Sequence, residues 1–280
     1  MLDTSVFWLR VAALLYVVGF AFSLVNLIRR QTAGFAFALG AFVVGVILHC
    51  VSLVDRAFAV SHFPADNFFE TISVCGFLLG VLFLFAYFRY QFASLSLILF
   101  PLVFGLTLVG VMGTPVEGWG NVRVRGAWLA IHVMLIMAGY ASILIAAAAS
   151  VFYLVQEKML KEKRVGQGWH GLSSATLPAL MTLDTLLTRA MGLGFICITL
   201  GVLTGSAWAF IETGTSWITD PKIVISLITW AVYLALMYLR ANAGWRGRKA
   251  ALMTISLLVF SALTWVAHVG LKTTFPPAAR

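Results

Sequence analysis

Residues 205–233 read GSAWAFIETGTSWITDPKIVISLITWAVY. An apolar run closes on Trp208, a polar turn follows with Glu212 and Trp217, and a second apolar run opens at Asp220-Pro221-Lys222. About 20 apolar residues are what a helix needs to cross the hydrocarbon of a bilayer. Two such runs meeting at a short polar turn describe a helical hairpin that surfaces between crossings. Tryptophan is favoured at that surface for its amphipathic ring. Here the aromatic planes stand beside one acid and one base, which suits a flat, amphipathic, anionic ligand better than a small ion.

The pattern repeats on either side. Apolar runs fall at roughly 6–28, 34–54, 72–88, 95–112, 128–155, 187–210, 223–239 and 250–270, about eight crossings in all. The 280 residues are 61% hydrophobic and 10% charged, with mean hydropathy +0.99. The expected fold is all-α, a polytopic membrane bundle of about eight transmembrane helices forming a single integral-membrane domain over 1–280, with no length left for a soluble catalytic domain. The first run carries Trp8 and Arg10 and lacks a small-residue cleavage site, so it reads as a retained helix.

A net charge of +9 invites a nucleic-acid reading, but the distribution of charge fits topology better. Arg29 and Arg30, Arg89, the cluster Lys158, Lys161, Lys163 and Arg164, and the cluster Arg240, Arg246, Arg248 and Lys249 fall in alternate connections. Most acids fall in the others: Asp3, Asp55, Asp66, Glu70, Glu117, Glu212 and Asp220. The positive-inside rule then places both termini outside and the 156–186 loop in the cytoplasm. Contact with anionic lipids accounts for the basic loops, and no nucleic-acid partner is expected. Cys50, Cys75 and Cys197 form no C-x-x-C and no C-x-x-C-H, which excludes a zinc ribbon, a redox pair and covalent haem attachment. G-x-S-x-G, H-E-x-x-H and P-loop motifs are absent, so hydrolytic chemistry has no support.

Three outer connections, 55–71, 113–127 and 211–222, would share one face and could roof a common site. Four of the five histidines fall on that side: His49, His62, His132 and His268. Ionisable groups within spans tend to face a bundle interior or cavity, and histidine is a common protein ligand to haem iron. A single in-span histidine can equally bond a neighbouring helix; three at matching depth favour a ligand role for at least one, with His132 first. Trp8 and Trp265 fit an interfacial belt. Trp128, Trp208 and Trp217 are candidates to stack on a porphyrin whose propionates Lys222, Arg123 or Arg125 could meet. Asp220-Pro221 also fits an N-cap followed by proline at the first helical position, which is compatible with an anion at the same helix end. Asn67 and Glu70 likewise resemble a capping box ahead of the third span.

Taken in order, these stretches resemble the cytochrome c assembly family, the CcsA, CcmC and HemX-like group. DNFFETIS resembles the family's Asn-x-Tyr-Glu-Ser segment through Asn67, Phe69, Glu70 and Thr71. WLAIHVMLIMAGY resembles its Trp-Leu-x-x-His-Val helix through Trp128, His132, Val133, Gly139 and Tyr140. WITDPKIVISLITWAVY resembles the tryptophan-rich signature itself, and GWRGRKAAL the loop before the last span. The resemblance implies non-covalent haem b handled on the outer face of the bacterial cytoplasmic (inner) membrane. Histidines would be axial ligands, and haem would be delivered to apocytochrome c with a membrane partner that carries an outer domain. On this chain it implies His132, with His49 or His268, at the iron.

The departures are specific. Thr219 and Ile223 stand where the signature has Trp and Glu, the inner histidine of the next span is replaced around Tyr238, and TTFPPAAR stands where His-Ser-Tyr is usual. These losses argue against a complete haem lyase and fit the HemX-like branch. A regulatory or assembly subunit without stable haem, linked to haem biosynthesis, is the alternative, and a haem exporter the third.

Overall fold

The computed structural model describes residues 4–29, 34–65, 67–91, 93–113, 123–162, 177–213 and 220–270. Eight helices follow one another: α1 (Thr4–Arg29), α2 (Phe35–Val60), α3 (Phe68–Tyr90), α4 (Ser96–Val111, entered through the 3-10 turn Ala93–Leu95), α5 (Arg123–Lys161), α6 (Leu180–Thr213), α7 (Pro221–Asn242) and α8 (Arg248–Gly270). No strand occurs among the described residues. Seven helices, α1 to α7, are long and apolar enough there to cross a membrane. The chain is a polytopic helical membrane bundle. Several helices outrun their apolar stretches. Thus α5 carries its basic extension to Lys161, where the Lys161 ammonium meets Glu157 one turn earlier at 2.7 Å. Likewise α6 begins at Leu180, just past Pro178, ahead of the apolar run at 187–210.

Lipid tails are as apolar as leucine, so helices associate in a membrane through close packing, small residues and interhelical hydrogen bonds. The α1–α4 half shows all three. A Cβ on Gly45 would lie 2.8 Å from Tyr16 Cε1, so the missing side chain is what seats Tyr16 against α2. Phe42 and Phe100 stack with ring centroids 4.1 Å apart, and Phe83 closes on both edge-on. Ser23 and Ser96 share a hydrogen bond of 2.6 Å between α1 and α4. Leu14, Phe85 and Leu203 turn outward at 60% exposure or more, as lipid-facing residues must.

The second half is built differently. α5 and α6 form a long close pair, α8 lies along α5, and α7 bridges α6 and α8. α3 ties the halves together through α5. α7 is the least buried of the candidate spans, with 6% of its apolar window covered by protein. It therefore leaves an opening between itself and α5.

Candidate functional site

That opening is a cavity of about 700 Å³. It lies between the N-terminal part of α5, the C-terminal part of α6, the N-terminal part of α7 and the later turns of α8, with the start of α3 at its rim. All these segments meet at one end of the bundle, the end at which the connections 61–67, 114–122 and 214–219 join the helices.

His132 lines the cavity from α5. Its Nδ1 lies 2.8 Å from the carbonyl of Gly201 on α6. A carbonyl only accepts, so Nδ1 carries the hydrogen and the lone pair of the neutral ring is on Nε2. A carbonyl that holds one ring nitrogen in this way fixes an imidazole in one tautomer and one orientation. Gly205 makes it possible. A Cβ there would stand 2.6 Å from His132 Cε1 and 2.8 Å from Nδ1, so only glycine lets α6 pass this close to the ring. One turn earlier on α5, Trp128 Nε1 donates to the Thr204 carbonyl at 2.8 Å, which fixes its indole on the cavity wall.

Opposite, Asp220 is fully buried and accepts from the Lys222 amide at 2.9 Å, with Pro221 opening α7. The capping reading of Asp220-Pro221 is thus realised, and Asp220 and Lys222 also line the cavity. Asn67 behaves in the same double way. Its Oδ1 accepts from the Glu70 amide at 2.9 Å as the cap of α3, and the side chain borders the cavity. The Glu70 carboxylate pairs with Arg56 of α2 at 3.0 Å.

The structure therefore brings His132, Trp128, Trp208, Asp220 and Lys222 around one space. It keeps His49 out of that space. His49 is completely buried among α1, α2 and α3, with Nδ1 3.3 Å from Tyr16 Oη, Nε2 2.9 Å from Ser73 Oγ and Phe77 edge-on to the ring. His62 turns Nδ1 to the Phe63 carbonyl at 3.0 Å. His268 stands in α8, and Arg123 and Arg125 at the start of α5, with their side chains outside the described residues. Trp217 and the 214–219 turn lie outside them altogether, as does the 114–122 connection.

Sequence reasoning passed over several lining residues: Thr229, Trp230, Tyr233, Ser261 and Thr264. The signal that marks them is helical spacing. Lys222, Ser226, Thr229 with Trp230, and Tyr233 fall on one stripe of α7, as Trp128, His132, Val133, Ile136 and Tyr140 do on α5. Neighbouring helices hold these side chains. Trp230 Nε1 donates to Thr199 Oγ1 at 3.0 Å, and Tyr233 Oη donates to the Met191 carbonyl at 2.6 Å.

The family match agrees with the region in which this site is built. The cytochrome c assembly protein family matches over residues 44–268, a stretch that contains every residue lining the cavity. The chain belongs to the cytochrome c assembly protein family. Among its relatives is the cytochrome c biogenesis protein CcsA of Microcystis aeruginosa, 26% identical over 96% of this chain and 93% of that protein. The CcsA of Synechococcus sp. strain CC9605 is 27% identical over 79% of both chains. The CcsA of the red alga Porphyra purpurea is 24% identical, again over 79% of both.

Proposed function

We propose that this chain is a multi-pass protein of cytochrome c biogenesis that binds haem b non-covalently and presents it at the outer face of the bacterial cytoplasmic membrane. The observation that carries the reading is His132. Its Nδ1–H is committed to the Gly201 carbonyl, and the residue lines the 700 Å³ cavity. Small-molecule and cofactor sites are apolar concavities of about 300–1,000 Å³ with a few placed polar groups, and this one falls in that range. Its donor set fits a porphyrin: an imidazole for the iron, indole planes from Trp128, Trp208 and Trp230, and an ammonium at Lys222 for an acidic edge. Bound haem would supply the iron and the vinyl groups to which apocytochrome thiols are joined. This chain's residues orient the macrocycle and keep it from bulk water.

In this proposal His268 would be the second residue to hold the iron. The positions Ser261, Thr264 and His268 recur at helical spacing on α8, and the first two line the cavity. Trp217, Arg123 and Arg125 join the connections at the same end of the bundle and are assigned to the roof. Apocytochrome c and a membrane subunit with an outer domain complete the assembly, and the basic loops at the opposite end contact anionic lipid. The shared name of the relatives, cytochrome c biogenesis protein, supports this assembly role over a regulatory one.

The test is the absorption spectrum of detergent-purified protein, oxidised and reduced, with a pyridine haemochrome assay. Stoichiometric b-type haem is expected, and His132→Ala should lower its content or shift the ligation bands. Full occupancy with an unchanged spectrum in His132→Ala removes the ligand assignment. A colourless wild type that takes up no added haem removes the haem reading.

A further inference from the structure

Two N–H donors at the rim of the cavity are buried without a partner among the described residues: Asn67 Nδ2 and Trp208 Nε1. Buried donors in folded proteins are almost always satisfied, and an exception calls for an account. Both assignments are secure on chemical grounds. An indole nitrogen can only donate. The Asn67 amide is oriented by its other half, because Oδ1 must be the oxygen that accepts from the Glu70 amide. Trp128 and Trp230, on the same walls, have their indole donors engaged by Thr204 and Thr199. The unsatisfied state of Trp208 is therefore particular to that residue.

Both donors line the cavity near helix ends. Asn67 immediately precedes α3, and Trp208 stands five residues before the end of α6 (Thr213). Lys222, in the first turn of α7, lines the same rim. Asp220, the one carboxylate among the described residues lining the cavity, is turned onto the N-terminus of α7 by its cap, where the helix dipole offsets its charge. Deeper in, the walls are apolar or hydroxylic: Ile136, Met137, Val202, Leu227 and the Thr229–Thr264 hydroxyl pair. The cavity is thus graded, with donors and a cation at the rim and an apolar interior.

We infer that the rim recognises an acid group of the ligand through Asn67 Nδ2 and Trp208 Nε1, with Lys222 supplying the opposite charge. The inference rests on the porphyrin reading above and adds a recognition element that is independent of iron. Carboxylate oxygens accept from such donors and complete the hydrogen bonding that the described residues leave open. Asn67 joins the integrity of α3 to ligand recognition, because one end of its amide caps the helix and the other meets the ligand.

Metal-free protoporphyrin IX and its dimethyl ester test this without any contribution from iron ligation, by quenching of tryptophan fluorescence in detergent. Two variants remove one donor each and keep the fold. Asn67→Ser retains a capping oxygen, and Trp208→Phe retains an aromatic ring. Wild type should bind the free acid about tenfold or more tightly than the ester, the scale of one hydrogen bond to a charged group. Each variant should lose about tenfold for the acid and nothing for the ester. Equal binding of acid and ester by wild type, or equal losses for both ligands in the variants, overturns the inference and leaves the haem reading standing. Failure of wild type to bind haem or either porphyrin overturns both.

Discussion

At the scale of single residues, two histidines that look alike in the sequence, His132 and His49, have different surroundings. His132 is held by a backbone carbonyl at the wall of a cavity, whereas His49 is tied at both ring nitrogens inside a packed core. Spacing reveals that a histidine lies in a span; it does not reveal which neighbour will bond it, because Tyr16 and Ser73 come from helices distant in sequence. His49→Leu leaves the Tyr16 and Ser73 hydroxyls without their partner, at a cost of about 1–3 kcal/mol. The expected result is a lower melting temperature in detergent with an unchanged haem spectrum. A spectrum altered as in His132→Ala would place His49 at the iron after all. Gly205 gives the converse case. Gly205→Ala adds one methyl, 2.6 Å from His132 Cε1, and must turn the imidazole away from the Gly201 carbonyl. Disturbing the group that orients a metal ligand commonly costs 10–100-fold in affinity. Haem occupancy in titration should fall on that scale while the variant remains folded. Gly205 opens the stretch that first marked the site, yet its role could not be read from sequence, since the atom it makes room for belongs to α5.

At the scale of elements, the start of α7 is where fold and site were most legible together. The Asp220-Pro221 pair predicts a capped helix start, and the structure has one. The same pair borders the cavity, so capping and ligand contact have to be separated by substitution. Asp220→Ala removes the cap and should cost about 1 kcal/mol of stability, seen as a shift in detergent thermal unfolding. Asp220→Ser restores a capping oxygen without the charge. Stability should recover, and any haem-binding defect that persists belongs to the carboxylate. If Asp220→Ser binds haem as wild type does, Asp220 acts through the cap alone. The rest of α7 was readable only in part. The stripe Lys222, Ser226, Trp230 and Tyr233 is visible as a periodicity, but whether it faces lipid, protein or a cavity depends on how far α7 stands from α5. Few of its residues are buried, and local sequence carries no record of that separation.

For the whole molecule, the number and order of the helices followed from the length of apolar runs, since bilayer thickness leaves helices little choice, and seven of the eight are long and apolar enough among the described residues to cross a membrane. Which end of the bundle faces out follows from a second, weaker force, the bias of lysine and arginine toward the cytoplasm. Arg29, Arg89, Lys158, Lys161, Arg240, Arg246, Arg248 and Lys249 gather at the end opposite the cavity, where Arg240 pairs with Asp184 at 3.3 Å and Asp184 also accepts from the Gly247 amide. One side of the membrane therefore receives the basic connections and the other the rim with Asn67, Trp208 and Lys222. Cysteine labelling decides the matter directly. With Cys50, Cys75 and Cys197 changed to alanine, Glu117→Cys should react with a membrane-impermeant maleimide in intact spheroplasts, and Gly168→Cys only after lysis. The opposite pattern would open the cavity to the cytoplasm. A donor-rimmed porphyrin site there would receive haem from the compartment in which it is made, and outward presentation would need a conformational change instead of a fixed orientation. The expected pattern leaves the rim, and His132 behind it, next to the space in which apocytochrome c is assembled.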